Sequence, residues 1–443
     1  MTKPYLSILF IVLATSVISQ YNSTRKVAVI GGGIAGVSAA HYILENDSQT
    51  EVVLFEKEKI LGGNAKTVMV SNAFGDSIKV DIGPQFFTDD TWQQYITLLN
   101  HYDLISPEIL NEFRGTFVIY KNDSVHPTFI SPRGLLKRGE RIKNLRQFYL
   151  FYKSAFRLFS SQEDSDLTVN EWLAMNEMSE SFKNEIALPF MAATKGTTVN
   201  ALKELSANDL VKLFAFRGPL EKKTFYVLND GMGNAVQVIG DSLVSKGLDI
   251  KYNSPVRSIK KNGEKLTVTT DQGDSDFDFV VFAVHPYQAA KMLSDDSSLT
   301  ELKTILNTFE YEEVQIVLHR DSSYAFPKRS FLNITTDSDN SVLTSTMNLS
   351  CIHRDYSGIY KSWMKDEDVN KVMENGTLID LQVFEHPMNT PQFNRSLEKL
   401  YSVSSKFPNL YFAGGWTEGH ETQDAAVRSG EKAAFKYRKL LDR

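Results

Sequence analysis

Three patterns of apolar positions succeed one another at the start of this chain. Leu6 to Ile18 is a largely apolar run of 13 residues behind Lys3. It is too short to span a bilayer comfortably and has the length of a signal-peptide core. Short side chains at Val17 and Ser19 suit cleavage before Gln20, so residues 1–19 read as a signal peptide and the remainder as secreted or lumenal. An uncleaved membrane anchor is the alternative. Next, Lys26-Val-Ala-Val-Ile30 is a short β-branched run, the composition of a buried parallel strand. Ile34, Val37, Ala40, His41 and Leu44 then recur at helical spacing. A second strand-like run, Glu51-Val-Val-Leu-Phe55, ends on Glu56. The order is strand, helix, strand.

The junction between the first strand and the helix reads Gly31-Gly32-Gly33-Ile34-Ala35-Gly36, which fits G-x-G-x-x-G. Gly31 permits the tight turn. Gly33 lets the backbone approach a pyrophosphate with no Cβ in the way. Gly36 lets the helix sit close to the strand. Ala35 lies in the first turn, where free N–H groups and a partial positive charge face the phosphates. Glu56 lies 20 positions beyond Gly36, where an acid accepts hydrogen bonds from an adenosine ribose. With both strands and the acid in place, this is a dinucleotide site.

Composition narrows the classes. At 443 residues the chain holds two or three domains at about 150 residues each. Its 42% hydrophobic and 23% charged residues are those of an ordinary globular protein. A net charge of −6 offers nucleic acid no basic footprint. Cys351 is the only cysteine, so no intramolecular disulfide forms. Seven Asn-x-Ser/Thr sequons, at Asn22, Asn46, Asn122, Asn333, Asn348, Asn375 and Asn394, accord with secretion and glycosylation. No metal-ligand spacing and no G-x-S-x-G nucleophile motif occurs.

Later segments choose between nucleotides. Leu61-Gly-Gly-Asn-Ala-Lys-Thr67 follows the acid, then Val80-Asp81-Ile82-Gly83-Pro84-Gln85. Farther on stand Asn253-Ser-Pro-Val-Arg-Ser-Ile259, Asp278 to Pro286, and Asn409-Leu-Tyr-Phe-Ala-Gly-Gly-Trp-Thr417. With these, the sequence resembles the flavin-containing amine oxidase superfamily, and most of all its branch of FAD-dependent oxidoreductases with V-D-x-G after the L-G-G segment. The resemblance covers nearly everything after residue 25. It implies an α/β fold: a Rossmann-like FAD-binding domain of the glutathione-reductase/amine-oxidase type with an inserted α+β substrate domain. It implies that Gly63 and Asn64 lie along the flavin nucleotide, that Val256 meets the adenine, and that Gly414 belongs to the segment closing over the pyrophosphate. Asp424 to Lys436 reads as a helix whose N-terminus faces the flavin pyrimidine ring. The implied reaction moves a hydride from a small amine or lipophilic substrate to flavin N5, with O2 as acceptor.

There are departures from the family pattern. Asn64 replaces an arginine or histidine. Gln315 is the nearest match to a lysine many amine oxidases place near flavin N5. No thiol lies near Trp416, so FAD is expected to be noncovalent. No catalytic acid or base is named. The alternatives are a lipid or isoprenoid desaturase or isomerase, and a non-enzymatic flavin-binding relative.

The resemblance divides the chain into a discontinuous cofactor domain, residues 25–85, 224–292 and 407–443, and a substrate domain, residues 86–223 and 293–406. The first insertion is aromatic-rich and helical in pattern; the second has strand-like stretches, suiting a sheet with a helical cover. Arg133, Lys137, Arg138, Arg141, Lys143 and Arg146 precede an aromatic run from Phe148 to Phe159. That is a solvated face followed by a buried helix, with membrane-surface docking as the sharper alternative. His41 and His285 read as structural, and His420 as a loop residue within reach of the flavin edge.

Overall fold

The computed structural model describes residues 24–442, apart from 90, 107–109, 114, 123, 125–126, 131–137, 162–165, 213–223 and 326–329. The side chains of 138–143 are likewise not described. The expected signal peptide, Asn22, and most of the basic stretch before Arg146 therefore lie outside the described residues. Among the described residues, no helix is long and apolar enough to cross a membrane.

A five-stranded parallel sheet organises the first unit. Its order is Leu248–Lys251, Glu51–Phe55, Lys26–Ile30, Phe279–Phe282, Leu410–Phe412. The inner runs are apolar without alternation because both faces are covered, whereas the edge strand Leu248–Lys251 alternates and exposes Asp249 and Lys251. Val27, Val29, Val52 and Leu54 face a layer built from the helices Ile34–Asn46, Met232–Val244 and Gln423–Leu441. Ala28, Ile30, Val53 and Phe55 face the opposite layer. There a three-stranded antiparallel sheet, Val256–Asn262, Lys265–Thr270 and Gly273–Phe277, packs with the helices Thr300–Leu306 and Pro391–Ser404. The first and last helices pack closely, since a Cβ at Gly430 would stand 2.7 Å from the backbone N of Ala39.

A seven-stranded sheet organises the second unit. Its order is Leu378–Pro387, Tyr311–His319, Tyr360–Trp363, Val342–Asn348, Leu332–Thr336, Phe117–Lys121, Pro127–Ile130. All pairs are antiparallel except Leu332–Thr336 with Phe117–Lys121. The first insertion is thus more than helical: it supplies two strands of this sheet. Phe117-Val-Ile-Tyr is β-branched and aromatic, and its Val118 and Ile119 are both fully buried. Helices of the same insertion cover one sheet face through Phe151, Trp172, Phe182 and Met191. A three-stranded sheet straddles the expected boundary: Phe225–Leu228 pairs with Phe87–Thr88 and Leu110–Phe113.

The helix Arg138–Ser161 buries Phe148 and Phe151 in that core and exposes Leu145, Tyr149 and Phe156. Among the sequons, Asn333 is 2% exposed and Asn348 6%, so glycosyl transfer cannot reach them in the folded chain. Asn46, Asn122 and Asn375 are exposed.

Asp81 of the V-D-I-G segment is a helix cap supplied from a distance. The Met232–Val244 helix starts at Gly231 (φ 81°) with no cap of its own. The Met232 N–H donates to the Asp81 carboxylate at 2.9 and 3.0 Å, and Thr67 Oγ1 donates to it at 2.5 Å. The Gly233 N–H donates to Thr67 Oγ1 at 3.0 Å. Burial pushes the Asp81 carboxyl up to about 6, against the pull of these donors. Replacing Asp81 with Ala strands the Met232 N–H and is expected to destabilise the protein by about 1–3 kcal/mol. A lowered midpoint in scanning calorimetry checks this.

Candidate cofactor and substrate site

The carboxyl ends of the parallel strands meet at one edge, the usual place for a ligand in an open α/β sheet. Gly31 turns there with φ 105°, and a Cβ on it would stand 2.5 Å from the Ala283 carbonyl oxygen. A Cβ on Gly36 would overlap the Gly31 carbonyl. These two glycines are demanded by the fold itself. Gly33 differs: its Cβ would have only ordinary contacts, the nearest 3.8 Å away. Space lies open in front of it. Gly33 is also the N-cap of the first helix and offers no side-chain cap, so the first-turn N–H groups, Ala35's among them, stay available to an anion.

Glu56 has a duty that the sequence did not reveal. It is 6% exposed. Its Oε2 accepts the Gly32 N–H at 2.7 Å and its Oε1 accepts the Glu58 N–H at 2.8 Å. The carboxylate therefore pins the glycine loop, and each oxygen keeps a lone pair for a ribose hydroxyl.

The L-G-G-N segment lies alongside. The Gly62 N–H donates to the Gly32 carbonyl at 2.9 Å, and Gly33 and Gly62 form a parallel bridge. Gly63 has φ 59°, and a Cβ there would stand 3.0 Å from Gly33 Cα. The Asn64 side chain is exposed, while its carbonyl fills the space a Cβ on Gly83 would need. Backbone bonds from Ser254 N–H to Glu56 O (2.8 Å) and from Asn253 N–H to Glu58 O (3.0 Å) bring the Val256 strand up to the acid. Gly414, at φ 144°, ends the last strand and donates its N–H to Ser429 Oγ at 2.8 Å. Trp416 Nε1 then donates to the Val284 carbonyl at 3.2 Å.

This arrangement fits FAD. The uncapped helix end suits a diphosphate, Glu56 suits a ribose, and the space over Gly33 suits a close approach. Gln85 Oε1 and Gln423 Oε1 are buried acceptors without partners among the described residues, available to the N–H groups of a bound ring. The last helix runs Gln423–Leu441, one residue earlier than the expected start at Asp424 and past the expected end at Lys436. Asp424 is committed elsewhere: it accepts the N–H groups of Gln94 (2.8 Å) and Tyr95 (3.1 Å).

A second set of side chains gathers where the two units meet, and sequence reasoning missed most of it. His285 stacks on Tyr311 with ring centroids 4.5 Å apart, and its Nδ1 lies 3.2 Å from Glu385 Oε2. Tyr287 donates to the same oxygen at 2.5 Å. His285 is thus part of a polar cluster, beyond the structural part expected of it. His386 Nδ1 lies 3.2 Å from the Lys195 carbonyl oxygen, and burial lowers its ring to about 4. A Cβ on Gly415 would stand 3.0 Å from Glu421 Cα, which puts Glu421 beside the Gly414 segment. Burial lowers Lys195 and raises Glu421 to about 7. Both shifts run toward the neutral form, so lost hydration outweighs their mutual attraction.

Other expected residues resolve individually. His420 turns back on its own loop, with Nδ1 2.9 Å from the Glu418 carbonyl, and burial lowers it to about 4. His41 is buried, with Nδ1 2.8 Å from Tyr102 Oη. With Glu45 and His101 it forms a triad of metal-ligand type, but Lys246 Nζ lies 2.6 Å from Glu45 and 3.3 Å from His101, so an ammonium already fills the cation's place. Gln315 bonds Asp366. A buried lysine comes instead from the neighbouring strand: Lys361, opposite Leu318, donates to the carbonyls of Asp81 and Gly83, and burial lowers it to about 8.

Two glycine variants should therefore part company. Gly33→Leu is expected to fold and lose flavin. Gly36→Ala is expected to lose flavin and melt earlier. Circular dichroism melts beside flavin absorbance read the difference, and a Gly33→Leu protein as yellow as the parent would show that the cofactor lies elsewhere.

Comparisons with known proteins agree with this geometry. Coproporphyrinogen III oxidase of Staphylococcus aureus is 21% identical over 318 residues, 64% of this chain and 66% of that protein. The AofH protein of Mycobacterium tuberculosis, provisionally named a flavin-containing monoamine oxidase, is 25% identical over 272 residues, 59% of this chain and 57% of that protein. The chain thus spans under two thirds of the length of these curated relatives. Cyclohexylamine oxidase from Brevibacterium oxydans superposes with a TM-score of 0.65 at 15% identity, covering 95% of this chain and 100% of that one. That likeness is one of fold, and it bears out the expected α/β architecture. The family described as flavin containing amine oxidoreductase matches residues 34–353, well over half the sequence, and the chain belongs to it.

Proposed function

We propose that this protein is an FAD-dependent oxidase of small amines. The observation that carries the reading is the polar character of the junction beside Gly414. An apolar substrate would have to bury its surface against Lys195, Glu421, Glu385, His285 and Tyr287. A charged or hydrogen-bonding substrate finds partners there. Bound flavin supplies the two-electron acceptor for a hydride leaving the carbon next to nitrogen. The chain's own residues bind and orient. Gly33, Ala35 and Gly36 present the helix N-terminus to the diphosphate, and Glu56 holds the ribose. Lys361 fixes the loop from Asp81 to Gly83 against Asn64, which keeps the L-G-G-N segment in register.

Noncovalent attachment belongs to the proposal. Among the described residues the only thiol is Cys351, which packs in the core of the second unit. So does O2 as acceptor, in keeping with secretion through the segment 1–19. A second reading rests on the aromatic wall after Gln85: Phe86 packs edge-on to Phe113, Phe225 and Phe331. Such a wall suits dehydrogenation or isomerisation of a lipophilic substrate.

Heating the purified protein and filtering it should move the yellow colour into the filtrate. An amine screen with peroxide detection should then show turnover. Peroxide from no amine, with flavin bleached anaerobically by an isoprenoid or fatty acid, would select the second reading.

A further inference from the structure

Lys195 and Glu421 share an unusual situation. Lys195 ends the helix Leu188–Lys195 of the second unit, where Gly196 turns the chain with φ 72°. Glu421 comes from the first unit, one residue before Thr422, the N-cap of the last helix. Both lie deep in the molecule yet keep some accessible surface. Among the described residues, neither side chain has a hydrogen bond or an ion pair within 4.0 Å. Buried charges are ordinarily paired, because an unpaired one forfeits its hydration. Two opposite charges near enough to act on one another, both largely buried and neither held by a partner, are groups that lack a ligand.

We propose, building on the amine-oxidase reading, that Glu421 is the base that takes the proton of a bound alkylammonium substrate and that Lys195 sets the pH at which it does so. An ammonium has no lone pair, and a hydride cannot leave the neighbouring carbon until one is freed. In this step an N–H bond breaks, its electron pair stays on nitrogen, and the proton bonds to a Glu421 oxygen. The lone pair then forms the C=N bond as the hydride departs to the oxidant named above. The proton on Glu421 returns to solvent with product release.

The surroundings suit the task. Glu421 faces Lys195 from the helix Leu188–Lys195, Glu385 from the strand Leu378–Pro387 and Tyr311 from the strand Tyr311–His319. Lys195 also faces Asp209, Glu312 and the His386 ring. Burial raises the Glu421 carboxyl to about 7, with Lys195 pulling it down and Glu385 pushing it up. A base works best when its pKa lies near the operating pH. With its folded value raised, Glu421 is protonated below about 7 and free to accept a proton above it. Efficiency should therefore climb as pH rises through 7.

Holoenzyme and α,α-dimethylbenzylamine test this. That amine has no C–H next to nitrogen, so it binds without reacting. At pH 8 its addition should produce the infrared carbonyl band of a newly protonated carboxylic acid. In Glu421→Gln the band should vanish while flavin absorbance and thermal midpoint hold, showing an intact protein. With benzylamine, kcat/KM of Glu421→Gln should fall about 100-fold or more and lose its limb near pH 7. Lys195→Met, having lost the attraction that lowers Glu421, should move that limb to higher pH. A band that persists in Glu421→Gln, or a limb that Lys195→Met leaves in place, overturns the assignment while the amine reading survives. If neither amine binds, the amine reading itself falls, and the base with it.

Discussion

Backbone meets backbone at the carboxyl edge of the parallel sheet, and the rest of the site depends on that closeness. Gly31 turns against the Ala283 carbonyl, and Gly36 packs against Gly31, with no room for a Cβ at either. Only this approach lets the helix Ile34–Asn46 start where the strand Lys26–Ile30 stops. Its uncapped N-terminus then opens onto space and not onto side chains. Glu56 completes the lock by accepting the Gly32 N–H, so the carboxylate that the proposed function gives to a ribose also fixes the loop geometry. Loss of Glu56 would loosen the glycine loop by freeing the Gly32 and Glu58 N–H groups.

The two units divide the labour by polarity. The parallel sheet sits between two apolar layers, and its rigidity places Gly31, Glu56, Val284 and Gly414 within one edge. The second sheet carries an apolar, aromatic core on one face, yet at the junction it presents Glu385 and His386 from one strand and Tyr311 from the next. The helix ending at Lys195 joins them. Desolvation is the dominant force there. It drives Lys195 and Glu421 toward neutrality together, lowers His386 to about 4, and makes a charged ligand the natural way to recover the lost interaction.

Local pattern made the cofactor half readable. The strand, helix and second strand fall where periodicity puts them, because each is specified within a few residues by apolar runs and glycines. Gly33, Gly63, Val256 and Gly414 lie far apart in sequence, but each sits in a motif whose geometry is locally encoded. The strands Phe117–Lys121 and Pro127–Ile130 were hidden in a segment with a helical look, since short apolar runs do not declare their period. Asp81 looked like part of a cofactor motif, and only its contact with Met232 shows it capping a helix 151 residues away.

From the sequence alone came the dinucleotide loop, the partner acid, the family resemblance and the two-unit plan, all of which rest on residues near one another or on backbone conformations that few residue types allow. Tertiary structure decided the rest. Lys195, Glu385 and Glu421 stand on separate segments, and nothing near any of them marks it as special. Lys195 and Glu421 take their meaning from burial near one another without pairing, and Glu385 from holding His285 and Tyr287 next to them. Burial is a property of the packed whole, since it depends on which segments exclude water from a point in space.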